Sequence, residues 1–172
     1  MKRLGIYFFF DKDGIVDKYV DYVLEDLTKH VDKLIVVCNG QLNERGRKTF
    51  EKFTGNIIVR ENKGFDVWAY KTAIDSEGWN KLIEYDEIIL MNYTIMGPVY
   101  PLKEMFDIMD KRLELDFWGI TKCFQENSPV AQQIWQCPYG YIPEHIQSSF
   151  MAFRRSIVSS TIFQKYWDEM PM

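Results

Sequence analysis

The stretch Arg60-Glu61-Asn62-Lys63-Gly64-Phe65-Asp66-Val67-Trp68-Ala69-Tyr70-Lys71 packs charge, a turn glycine and a helix start directly behind a short apolar run. Arg60 and Lys63 beside a helix N-terminus form a pattern suited to a diphosphate, because the first backbone N–H groups of a helix are unpaired and carry partial positive charge. Asp66 also has the side chain of a helix cap, a structural role that stands beside any chemical one. His145, at the exit of a Pro-containing segment, is either a polar structural contact or a substrate contact. With no second ligand nearby it is not a metal site by itself.

Several common chemistries are excluded. No G-x-G-x-x-G is present, and the best near-match to a Walker loop, residues 40–49, has five residues between its glycines and an intruding Arg47. Asp11-Lys12-Asp13-Gly14 has its glycine at the wrong place for a calcium loop and reads as a turn that could present carboxylates. Neither a Gly-x-Ser-x-Gly elbow nor a cysteine with a histidine partner supports a hydrolase triad. Cys38, Cys123 and Cys137 lack C-x-x-C spacing and read as buried or spare thiols in a reducing cytoplasm. Lys+Arg 21 against Asp+Glu 25 gives a net charge of −4, which argues against a nucleic-acid partner. The apolar start at residues 4–10 is cut short by Asp11-Lys12-Asp13, so neither a signal peptide nor a membrane helix of ~20 apolar residues is expected. The expectation is a cytoplasmic chain without a transmembrane segment.

These residues need elements to position them, and the hydrophobic pattern supplies an alternation. Strands are expected over residues 4–10, 34–37, 57–59, 87–91, 116–121 and 149–153. Helices are expected over about 16–27, 44–53, 66–76, 102–113 and 156–170, and residues 122–144 read as a long functional loop or lid. At 172 residues, with 47% hydrophobic residues and no linker or repeat, the chain reads as a single α/β domain with a core large enough to need no disulfide. Strands alternating with helices predict a mainly parallel sheet flanked by helices. Ligands of such sheets bind beyond the carboxyl ends of the strands, near a switch in strand order. That places Asp11 and Asp13, Asn39 and Gly40, residues 62–66, and Asn92 with Thr94 on one rim.

Four stretches together resemble the rhamnan synthesis protein F family, glycosyltransferase-like proteins of cell-surface polysaccharide assembly. They are residues 7–14, 61–71, 89–98 with 116–121, and 145–153, in the same order over nearly the whole chain. The resemblance implies a Rossmann-like fold of the glycosyltransferase A-type across residues 1–172. It implies a nucleotide sugar, with dTDP-rhamnose as one donor, and a glycan acceptor that could be lipid-linked at the inner face of the membrane. Under it, Asp11, Asp13 and Asn39 would serve the nucleotide, Arg60, Asn62, Lys63 and Gly64 the diphosphate, and Asn92 and Trp118 the sugar or base. Asp66, Glu144 and His145 are the catalytic candidates. The family's metal-holding Asp-x-Asp falls on Asn92-Tyr93-Thr94, so Mg²⁺ or Mn²⁺ would have to bind Asn92 and Thr94. Two neutral oxygens attract a hard cation far less than two carboxylates do. A non-catalytic sugar- or nucleotide-binding module of the same fold is the alternative. The resemblance also implies acceptor-binding elements beyond His145, so the chain is either compact or a piece of something longer.

Overall fold

The computed structural model describes residues 1–127, 129–130 and 138–171. Its elements run β1 (Arg3–Phe10), α1 (Lys18–Leu27), β2 (Lys33–Asn39), α2 (Glu44–Glu51), β3 (Ile57–Arg60), α3 (Phe65–Glu77), α4 (Trp79–Leu82), β4 (Glu87–Asn92) and α5 (Leu102–Met109). Then follow β5 (Phe117–Gly119), β6 (Lys122–Cys123), β7 (His145–Ile146), β8 (Phe150–Arg154), α6 (Arg155–Val158) and α7 (Thr161–Asp168). The main sheet has the order β3-β2-β1-β4-β8-β5. β1 to β4 pair in parallel, and β8 runs antiparallel to both of its neighbours. This is the mainly parallel sheet that the alternation predicts.

Successive strand residues point to opposite faces, and the sheet is covered on both. Tyr7, Phe9, Val36, Cys38, Ile89 and Met91 pack against Val20, Val23 and Leu24 of α1, Phe50 of α2 and Phe106 of α5. Leu4, Ile6, Phe8, Ile35, Val37, Ile88 and Leu90 pack against Ala69, Tyr70 and Ala73 of α3, Leu82 of α4 and Trp167 of α7. Burial explains why the strand sequences are continuous apolar runs. It also pushes the Cys38 thiol up to about 12, from an ordinary value of 9.0. A group that holds its proton more tightly when folded withdraws its contribution to stability as pH rises from the unfolded towards the folded value. Stability should therefore decline between pH 9.0 and about 12. A thiol-alkylating reagent at pH 8 should leave Cys38 unlabelled until denaturant is added; rapid labelling of the folded protein would contradict its burial.

The chain lays down β1, β2 and β3 to one side and then crosses back to place β4 on the other side of β1. The switch in strand order thus lies between Phe10 and Asn92, the carboxyl ends of β1 and β4. Because β8 is antiparallel, its start at Phe150 pairs with Met91, and Asn92 N donates to Ser149 O at 3.0 Å. Residues 147–149 therefore reach the same rim.

Several element boundaries differ from the sequence reading. The helix expected over 102–113 ends at Met109, and the strand expected over 116–121 shortens to Phe117–Gly119. The helix expected over 156–170 is two, α6 and α7, because Ser160 caps α7 by accepting from Phe163 N at 3.2 Å. The expected loop over 122–144 contains β6, which pairs antiparallel with β7, and a bridge from Glu126 to Ile142. The rest of that expectation, residues 128 and 131–137 with Cys137, lies outside the described residues.

Candidate functional site

The rim is built from the strand ends upward. After β1, Asp11 Oδ1 accepts from Asp13 N and Ile15 N, both at 2.9 Å, and folds the turn. Gly14 has φ +68, and a Cβ there would lie 2.8 Å from Asn43 N and Gln41 O, so only glycine lets this turn dock on the loop after β2. Gln41 Nε2 donates to Lys12 O at 2.6 Å and joins the same two loops. Asp13 is exposed at the tip.

At the end of β2, Asn39 is fully buried and both polar atoms of its amide have a partner. Its Nδ2 donates to Phe65 O at 3.1 Å, and its Oδ1 accepts from Arg60 Nη1 at 2.7 Å. Arg60 Nη1 also donates to Lys63 O at 2.8 Å. Asn39 and Arg60 are therefore braces of the turn after β3, with no side-chain atom of Asn39 left over to read a base. The turn they hold contains two left-handed residues, Gly64 at φ 70 and Phe65 at φ 52. A Cβ at Gly64 would fall 2.3 Å from the Trp68 ring. Left-handed backbone in a non-glycine residue is costly and concentrates at functional sites. Asn62 is exposed at the tip, and its Cβ would lie 3.8 Å from one built at Gly40, which places the second and third loops side by side. Lys63 pairs with Glu61 at 2.9 Å, both largely exposed.

Asp66 does not cap α3 as expected: the N-cap position is Gly64, and Asp66 lies in the first turn, where a carboxylate complements the helix dipole. Its Oδ1 accepts from Val67 N at 2.9 Å. Its Oδ2 accepts from Asn92 Nδ2 at 3.1 Å and from Ser148 Oγ at 2.6 Å, joining α3 to the end of β4 and the entry of β8. Asn92 Oδ1 in turn accepts from Thr94 N at 3.1 Å and Thr94 Oγ1 at 2.5 Å. Tyr70 adds a third tie, its hydroxyl donating to Ser148 O at 2.8 Å. Burial, and after it the charge of Asp66, pushes the Tyr70 phenol well up, so it remains a neutral donor.

Beside this junction lies a cleft of about 1240 Å³ whose lining includes Asn92, Thr94, His145, Ser148, Phe124 and Tyr166. Aromatic faces interspersed with hydroxyl, amide and imidazole groups suit a polyhydroxylated ligand. His145 Nδ1 lies 2.8 Å from Pro143 O. Donation to that carbonyl leaves Nε2 as the acceptor. Glu144 is exposed and paired with Lys122 at 2.8 Å.

Trp118 is not at the rim. The residue is 5% exposed, its indole meets Phe106 edge-to-face and Phe150 at a tilt, and its Nε1 donates to Glu87 Oε1 at 2.7 Å. The expectation that it meets sugar or base is corrected by its register opposite Ala152, which turns the ring into the core under α5. Ser148 and Tyr70 are the residues that the sequence reading assigned no role. The serine pair before an apolar strand was a signal, but its meaning depends on β8 running antiparallel, which periodicity does not encode.

Asn92 and Thr94 do not fit a divalent cation. The side-chain oxygen of Asn92 faces two Thr94 donors, and its NH₂ faces Asp66, so a cation there would compete with bonds already made. Among the described residues no group of three or more His, Cys, Asp or Glu side chains is placed to hold a metal.

The sequence pattern defining rhamnan synthesis protein F matches residues 34–172. The chain belongs to the rhamnan synthesis protein F family. A curated relative of this family member, the uncharacterized protein y4gN of Sinorhizobium fredii (strain NBRC 101917 / NGR234), is 23% identical over 150 residues, which cover 87% of this chain and 35% of that protein. The fold is similar to that of glucosyl-3-phosphoglycerate synthase from Mycobacterium tuberculosis in complex with UDP, at a TM-score of 0.56, 11% identity, and coverage of 91% of this chain and 57% of that one. The same enzyme has been solved with Mn²⁺, UDP-glucose and phosphoglyceric acid, at a TM-score of 0.56 and 10% identity, with the same coverage. CMP:2-keto-3-deoxy-manno-octonic acid synthetase complexed with CTP is similar at a TM-score of 0.55 and 12% identity, over 100% of this chain and 79% of that one. This family member thus has the Rossmann-like fold of A-type nucleotide-sugar enzymes. It spans little more than a third of its curated relative and under two thirds of the synthase. Among the described residues no helix is long and apolar enough to cross a membrane.

Proposed function

We propose that the chain binds a nucleotide sugar at the rim between β1 and β4 and takes part in glycosyl transfer onto a cell-surface polysaccharide, with dTDP-rhamnose as the first donor to test. The observation that carries this reading is the convergence of the strand ends. Residues from the loops after β1 to β4, together with Ser148, are tied to one another by hydrogen bonds at the switch in strand order. The family and the nucleotide-bound enzymes of like fold support the same substrate class.

In this reading Asp11, Asp13 and Asn62 lie around the nucleotide, and the diphosphate faces Lys63, Gly64 and the first N–H groups of α3, where negative charge is favoured. Asn39 and Arg60 shape that turn from beneath. The acceptor glycan occupies the cleft, and the site works at the inner face of the membrane when that acceptor is lipid-linked. His145 Nε2 removes the proton from the acceptor hydroxyl, the oxygen bonds to the anomeric carbon, and the bond to the diphosphate breaks with its electron pair leaving on phosphate oxygen. Donors aimed at that developing charge lower the barrier. Asp66, whose two oxygens both accept hydrogen bonds, acts by holding Asn92 and Ser148 in place.

A second reading, a non-catalytic nucleotide- or sugar-binding module, is favoured by the neutral, mutually bonded Asn92 and Thr94. Incubation with a panel of nucleotide sugars and a polysaccharide acceptor separates the two. Transfer or donor hydrolysis that falls in His145→Ala supports catalysis, binding without turnover supports the module, and neither binding nor turnover contradicts both.

A further inference from the structure

Resting on that reading, we infer that this chain engages its nucleoside diphosphate without a divalent cation at the end of β4. Three observations converge. The side-chain oxygens at that strand end are an amide and a hydroxyl, which hold hard cations far more weakly than carboxylates do. Asn92 is 6% exposed, and its amide orientation is fixed on both sides: a carboxylate can only accept, so the NH₂ must face Asp66, and the oxygen must face Thr94 N–H. The nearby carboxylate is committed as well, since Asp66 Oδ2 accepts from two side chains and Oδ1 from Val67 N. A cation entering here would face an inward-turned NH₂ group and a carboxylate that already accepts three hydrogen bonds.

The cluster therefore does a different job at the place where a metal would sit. It is a chain of hydrogen bonds, Ser148 to Asp66, Asn92 to Asp66, and Thr94 to Asn92, which ties three backbone segments with no ion. Compensation of the diphosphate charge falls to groups of the chain itself. Lys12 and Lys63 are exposed on the neighbouring turns and, among the described residues, form ion pairs with the similarly exposed Asp13 and Glu61, contacts that a phosphate can replace.

The test is a Mn²⁺ titration of the unliganded protein followed by electron paramagnetic resonance, with parallel calorimetry of UDP, dTDP, GDP and CDP in EDTA and in excess Mg²⁺. The expected result is that no Mn²⁺ site depends on Asn92 or Thr94. Nucleotide affinity should agree within about twofold between EDTA and Mg²⁺. A Mn²⁺ site weakened in Asn92→Ala and in Thr94→Val would overturn the inference. So would a gain of about tenfold or more with Mg²⁺ that both variants abolish. Two variants guard against one that fails to fold. The Mn²⁺ titration uses no nucleotide, so it tests the end of β4 as a cation site by itself, whereas failure of every nucleotide to bind would count against the proposed function.

Discussion

Replacing Glu87 by Gln should destabilise the protein by about 3–5 kcal/mol, read as a lower urea midpoint with an unchanged slope. Glu87 is fully buried at the start of β4, at the opposite end of that strand from the site. Its Oε2 accepts from Arg3 Nε at 2.8 Å. Its Oε1 accepts from Trp118 Nε1 at 2.7 Å and lies 3.1 Å from Arg154 Nε, an ion pair without hydrogen-bond alignment. Arg3 and Arg154 are themselves buried, on β1 and β8, so one carboxylate neutralises two cations across three adjacent strands. Asp110 contacts Arg3 but is partly exposed and does not replace it. An amide at position 87 leaves the buried Arg154 guanidinium without its carboxylate and Arg3 with the partly exposed Asp110 alone, a far larger cost than loss of a surface pair. Glu84→Gln, which removes an exposed pair with Lys2 at 3.6 Å, is the control and should change stability by less than about 1 kcal/mol. A Glu87→Gln midpoint equal to that control would show that the buried pair does not hold the sheet.

The second large effect is expected at Asp66. Asp66→Ala removes the shared acceptor of Asn92 and Ser148 and frees the start of α3 from the ends of β4 and β8. Leaving those donors without a partner should cost about 1–3 kcal/mol of stability. Turnover of the nucleotide sugar, corrected for folded fraction, should drop about 100-fold, because small displacements of positioned groups have effects of that size. Ser148→Ala removes one tie and keeps the other, so its effect should be smaller in both measurements. A purely structural role for Asp66 would lower stability while leaving turnover per folded molecule within about twofold of the parent.

Much of this arrangement is legible in the sequence because burial on both faces of a parallel sheet writes strands as apolar runs, as in residues 4–10 and 34–37. Polar or glycine residues at the ends of those runs then mark the rim, and Gly14 and Gly64 are glycines for steric reasons the turns impose. What stayed hidden has a common cause. Strand direction leaves no trace in periodicity, so the arrival of Ser148 beside Asp66 could not be read from its position in the chain. Partner choice is hidden too: Arg60 and Asn39 are polar rim residues by type, yet each is used in bracing the turn. Trp118 shows the reverse, an aromatic that could stack on a ligand but is buried where β8 and α5 close over it.

A crystal structure of the chain with a bound nucleoside diphosphate tests the central claim most directly. Nucleotide density is expected at the ends of β1 and β4, with the diphosphate against Lys63, Gly64 and the start of α3, and Asp11, Asp13 and Asn62 alongside. Density at the amino ends of the parallel strands, near Glu87, or a nucleotide that touches none of the turns after β1, β3 and β4, would contradict it.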